Sequence, residues 1–167
     1  MPNATDDPKK QAALNQYQFA TPDGPVYHGS GHGFAPGDKI DPTPDRLHLK
    51  GESAAFGVTN TSTAGYFGVE RTAEPRQGQG RLFSSVYEVE PNSRFERHPS
   101  GVSDLQTAAK YEDAGYIQRR VDEAPPNTMP IDREGFTVKR HAAFAFPDLE
   151  GQKKGHLYEK LQETPNG

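Results

Sequence analysis

Apolar residues along this chain come in short runs broken by glycine, proline and polar residues, a pattern that predicts brief strands and short helices joined by much loop. Val26 to His28 reads as a first strand and Ser53-Ala54-Ala55-Phe56-Gly57-Val58-Thr59 as a second, with a long loop between them. Thr61-Ser62-Thr63 offers capping side chains to a short helix over Ala64-Gly65-Tyr66-Phe67-Gly68-Val69, which its glycines weaken. Glu74 to Gly80 is an exposed turn region. Arg81 to Val89 then has the β-branched and aromatic content of a strand that stops at Glu90-Pro91-Asn92. Ser103 with Asp104 can cap a helix through about Asp113, Pro125-Pro126-Asn127 is the clearest internal break, and Gly135 to Arg140 returns to strand alternation.

The two ends are more polar. Residues 1–20 read as a frayed arm holding one or two helical turns near Lys10-Gln11-Ala12-Ala13-Leu14, and residues 151–167 as a helical or disordered tail. A single domain over residues 21–150 is the economical organisation, since no repeat is visible at any period.

Composition narrows the class. With 32% hydrophobic residues, 15 prolines and 17 glycines in 167 residues, the core is expected to be small and the fold thin. A net charge of −4 carries no basic stripe for nucleic acid, and the pairs Arg119-Arg120 and Lys139-Arg140 read as solvated surface. The longest apolar run, His141-Ala142-Ala143-Phe144-Ala145-Phe146, is far short of a membrane span, and the N-terminus has no charged-then-apolar signal pattern, so the expectation is a cytoplasmic protein with no membrane partner. The absence of cysteine excludes thiolate catalysis and thiolate metal sites. His28, His32 and His48 lack regularly spaced carboxylates, so no metal site is expected.

The segment Val26-Tyr27-His28-Gly29-Ser30 sets a histidine and a glycine at the end of an apolar run, where a buried strand opens into a cleft, and Gly37-Asp38-Lys39-Ile40 forms a second short signature. Together they resemble the His-Gly-Thr/Ser motif of ADP-ribosyltransferases, most closely the small rifampicin ADP-ribosyltransferase family, in which a Gly-Asp pair follows a few residues later. The resemblance runs over about residues 25–100, with further points at Val58-Thr59, Gly68 and Tyr87-Glu88-Val89-Glu90-Pro91. It implies an α+β fold of the compact ADP-ribosyltransferase type, in which two small antiparallel sheets with short peripheral helices surround an NAD cleft. The implied activity is mono-ADP-ribosyl transfer from NAD, as co-substrate, to an acceptor nucleophile with release of nicotinamide. The acceptor is a rifamycin-type hydroxyl in the nearest family, and a protein or nucleic acid in a toxin or phage-borne effector of the same fold. A monomer is expected.

Breaking the bond between nicotinamide and ribose develops an oxocarbenium-like sugar, so a catalyst must hold the ribose hydroxyls, fix the flat ring and stabilise positive charge. His28 suits a ribose hydroxyl, Gly29 can offer its N–H and C=O to the carboxamide, and Ser30 completes the binding segment. Phe56 and Tyr66 are the aromatic faces expected to sandwich the ring, Phe56 standing where the rifampicin-modifying family normally has Tyr. For charge stabilisation the family carries a short acidic run whose last Asp is catalytic, whereas this chain reads Phe95-Glu96-Arg97-His98-Pro99-Ser100. In register His98 replaces that aspartate and Glu96 is the nearby carboxylate. Both can face a cleft from an extended segment, which makes Glu96 and His98 the alternatives for the third role, with His28 and Tyr66 as the other catalytic candidates. Two other readings stand beside this one. One is an inactive NAD- or nucleotide-binding module of the same fold, suggested by His98. The other is an RNA 2′-phosphotransferase relative, which shares the His-Gly start and expects cleft arginines, echoed by Arg46 near His48.

Overall fold

In the computed structural model, which describes residues 6–44, 49, 51–73, 83–147 and 158–163, the Asp7 carboxylate accepts from the amides of Lys9 and Lys10 and, with a proline in the first turn, starts helix α1 (Pro8–Gln18). Ala13 and Leu14 bury against Leu105, Ala109, Ile117 and Val121 of two later helices, α3 (Pro99–Ala109) and α4 (Ala114–Asp122). Residues 8–18 are therefore a packed helix, where a frayed arm was expected. Their own apolar pattern is too thin to announce it, and the burying partners lie some ninety residues on. Residues 1–5 lie outside the described part.

The helix expected from Ser103 begins instead at Pro99, with His98 as its cap, and ends at Ala109. Asp113 does not end that helix but caps the next one by accepting from the Tyr116 amide. Asp at such a boundary serves the following N-terminus as well as any turn.

Five antiparallel strands form the larger sheet. β1 (Val26–Ser30) pairs with β5 (Ser84–Pro91), and β5 with the long β7 (Phe136–Pro147). The far edge of β7 takes β2 (Lys39–Ile40) at its beginning and β8 (Tyr158–Glu163) at its end. A smaller antiparallel sheet holds β3 (Thr43–Pro44), β4 (Ser53–Phe56) and β6 (Ile131–Asp132). The expected long loop thus contributes β2 and β3. The stretch expected as a helical or disordered tail contributes β8, because the unpaired edge of β7 accepts it. The strand expected from Gly135 runs on to Pro147. The turn region Glu74 to Gly80, together with Arg81 and Leu82, lies outside the described residues.

Among the described residues the architecture is α+β, with two antiparallel sheets and four helices. Helix α2 (Thr61–Ala73) lies on the larger sheet and buries Ala64 with Val58, Val86, Ala142 and Ala143. The opposite face buries Val26, Ile40, Ala55, Tyr87, Val89, Phe136 and Val138. Neighbours Val86 and Tyr87 serve different clusters, as the two-residue alternation of a strand requires. No helix in the described part is long and apolar enough to cross a membrane.

Candidate functional site

The site lies along the edge of β1 that faces away from β5. Tyr27 donates its amide to the Val58 carbonyl at 2.7 Å and accepts from the Val58 amide at 2.9 Å, so its backbone groups point away from β5. Antiparallel alternation then turns those of His28 toward Tyr87 of β5 and those of Gly29 back to the open edge, beside the cleft that Gly29 lines. The glycine itself is demanded by packing: a Cβ there would meet the Ala64 carbonyl oxygen at 1.8 Å and the Gly68 amide nitrogen at 2.9 Å. Close approach of α2 to β1, made possible by Gly29, closes one wall of the cleft.

His28 is 7% exposed, and its Nδ1 lies 2.8 Å from the Phe56 carbonyl oxygen. A carbonyl can only accept, so Nδ1 carries the hydrogen, and Nε2 of the neutral ring is an acceptor. Phe136 supports the ring edge-on at 6.1 Å between centroids.

Two hollows meet at this histidine. The first, about 610 Å³, has walls from β1, from Phe56-Gly57-Val58, from Ala64 and Phe67 of α2, and from His98 and Ser100 at the start of α3, with Met129 at its rim. The second, also about 610 Å³, shares His28, Thr43, Pro44 and Phe56 and adds Ser30, His32, Phe34, Lys39 and Asp41. Each is within the range of small-molecule and cofactor pockets. The Ser30 hydroxyl there accepts from the His32 amide at 3.0 Å.

The fold brings together most, but not all, of the residues expected at a site. His28, Gly29, Phe56 and His98 line the first hollow, and Ser30 the second. Tyr66 lines neither and packs edge-on against Phe67, which does. Adjacent helical residues point about 100° apart, whereas Ala64 and Phe67, three apart, share a face. The α2 aromatic that lines the first hollow with Phe56 is therefore Phe67, a residue that the i, i+3 spacing from buried Ala64 would have identified. Phe56 also meets the His98 ring at 6.0 Å between centroids.

Glu96 does not line either hollow. It is 6% exposed, its backbone bridges Ile131, and its carboxylate accepts from Gln18 Nε2 at 2.9 Å and Arg133 Nε at 2.8 Å. Alternation along an extended segment does not carry Glu96 into the cleft, because partners from α1 and the β6–β7 turn hold it elsewhere. His98 alone of the pair faces the cleft. Its Nδ1 accepts from the Ser100 amide at 3.3 Å and lies 2.8 Å from Ser100 Oγ, an N-cap arrangement. With Nδ1 accepting, the neutral ring carries its hydrogen on Nε2 and is a donor there, the reverse of His28.

The basic pairs are engaged elsewhere. Arg119 and Arg120 lie over the Tyr116 ring, and Lys139 and Arg140 hold Glu88 at 3.1 and 3.0 Å. Burial raises the Glu88 carboxyl, but hydrogen bonds and charge from Lys139 and Arg140 outweigh it and leave the group below its ordinary value. Among the described residues no arginine lines either hollow, and no three His, Asp or Glu side chains converge as metal ligands. Arg46 and His48 lie outside the described residues. No protein-family model matches the chain, and no curated protein matches it.

Proposed function

We propose that the double hollow binds NAD and that the protein is a mono-ADP-ribosyltransferase, moving ADP-ribose to an acceptor hydroxyl or other nucleophile and releasing nicotinamide. The observation that carries this reading is the adjacency on β1 of a histidine ring locked by the Phe56 carbonyl and a glycine whose backbone pair opens to the same hollow. Gly29 N–H donates to the carboxamide oxygen of nicotinamide, and its C=O accepts from the carboxamide nitrogen. Nε2 of neutral His28 accepts from a ribose hydroxyl. Phe56 and Phe67 flank the flat ring, and the second hollow, with Lys39, receives the ADP end. The acceptor is a small molecule or a macromolecule.

His98 stands in the place of the expected carboxylate. As a neutral donor it orients an oxygen but does not offset sugar charge as an anion does, so turnover below that of a carboxylate-bearing relative is expected. The commitment of the Glu96 carboxylate to Gln18 and Arg133 favours a second reading, an NAD-binding module without cleavage.

Calorimetry with NAD, and mass spectrometry of NAD incubated with the protein with and without rifampicin, test both. NAD binding that weakens up to about tenfold in His28→Ala, the worth of one hydrogen bond, together with nicotinamide release, is expected. Binding without release under any acceptor leaves the second reading, and no NAD binding overturns both.

A further inference from the structure

Glu96 has a buried carboxyl group outside the cleft, held by residues from two distant segments. Its carboxylate joins Gln18 at the end of α1 to Arg133 after β6, and its backbone exchanges two 2.8 Å hydrogen bonds with Ile131. The next residue is tied as firmly. The Arg97 amide donates to the Gln18 carbonyl at 2.7 Å, its Nε to the Tyr17 carbonyl at 2.9 Å, and its guanidinium lies 4.3 Å from the centre of the Tyr17 ring. One residue later comes His98, and at Pro99 the helix α3 begins. Two residues pinned in backbone and side chain on one side, and a proline-started helix on the other, leave the His98 backbone no alternative course.

Arg133 is 40% exposed and also pairs with the exposed Glu52, so solvent screening on its side and desolvation of the Glu96 carboxylate on the other leave the pair little net stability, and its use is to specify one arrangement among several. Here the arrangement specified is the placement of His98. We propose that Gln18, Glu96 and Arg133 form a clasp of positioning residues that sets His98 in the cleft, so that helix α1, which contributes nothing to either hollow, is part of the functional unit. This rests on the NAD-cleft reading only for the consequence in turnover; the effect on His98 itself does not. A misplacement of about 1 Å in a catalytic group is sufficient to cost a hundredfold in rate.

The experiment reads the His98 imidazole directly, by long-range proton–nitrogen correlation NMR in the full chain. It compares the unmodified protein with Gln18→Ala, Glu96→Ala, Glu96→Gln and, as a remote control, Tyr111→Ala, whose side chain is exposed. The unmodified protein should show the Nε2–H tautomer. Gln18→Ala and Glu96→Ala should shift or average the His98 ring signals, Tyr111→Ala should leave them in place, and Glu96→Gln, which keeps an oxygen acceptor, should restore them in part. Nicotinamide release should fall in kcat by about tenfold in Gln18→Ala while KM for NAD stays within about threefold. Folded Gln18→Ala protein with unchanged His98 signals overturns the clasp. Should Glu96→Ala fail to fold, Gln18→Ala decides alone, because it removes one side-chain bond and leaves the Gln18 carbonyl contact to Arg97 intact. If the unmodified protein neither binds nor cleaves NAD, the functional reading fails while the ring signals still decide the clasp.

Discussion

Replacing Gly29 by alanine probes the contact on which one wall of the cleft depends. The added Cβ would lie 1.8 Å from the Ala64 carbonyl oxygen, 2.8 Å from its carbon and 2.9 Å from the Gly68 amide nitrogen, where ordinary contact begins near 3.4 Å. All three are backbone atoms of α2, so no side chain can rotate aside and the helix must lift as a unit. Lifting it loosens Ala64 from Val58, Val86, Ala142 and Ala143. Overpacking a core costs about 1–3 kcal/mol when side chains can adjust. With backbone on both sides the cost should reach the upper end, about 3 kcal/mol, or about a hundredfold in the folded-to-unfolded ratio. Urea unfolding followed by circular dichroism measures it, with Gly33→Ala as the control, since a Cβ at Gly33 meets nothing within 4 Å. A Gly29→Ala midpoint corresponding to less than about 0.5 kcal/mol, at unchanged slope, would refute the crossing described here.

Phe67→Ala should weaken NAD binding by up to about tenfold, the worth of an aromatic stacking contact, whereas Tyr66→Ala should leave it nearly unchanged. The two side chains are similarly exposed, 36% and 43%, so exposure cannot separate them, and equal losses in calorimetry would remove the helix-face assignment. Burial, and then the charge of Arg140, hold the His141 imidazole below its ordinary value. The unfolded chain therefore takes up a proton that the folded one resists, so stability is full above about pH 6.5 and declines as pH falls below it. His141→Gln should flatten that part of the curve in urea titrations between pH 7 and about 5, and an unchanged slope would assign it to other groups.

How much of this was legible in the chain depends on how far each feature's cause lies along it. The strands around His28 and Val86 are written in short β-favouring runs, and the neighbours His28 and Gly29 needed no tertiary information to be placed on one strand, although that strand runs on to Ser30 and does not end at His28. Phe56 was legible for the same reason, as the last residue of an apolar run. The choice of Phe67 over Tyr66 was half legible. It follows from helical spacing once Ala64 is known to be buried, and only the packing of α2 on β1 decides that.

The rest was settled by partners remote in sequence. Helix α1 is held by apolar residues from α3 and α4, and β8 by the edge of β7, so neither segment carries its own signal. Glu96 and His98, two residues apart, looked interchangeable because strand alternation puts them on one side. Gln18, 78 residues before Glu96, and Arg133, 37 residues after it, claim the carboxylate, while Pro99 turns His98 into a helix cap at the cleft. A local pattern determines which residues are able to reach a site. Which of them arrive is decided by charge pairing and packing between segments that only the folded chain brings into contact.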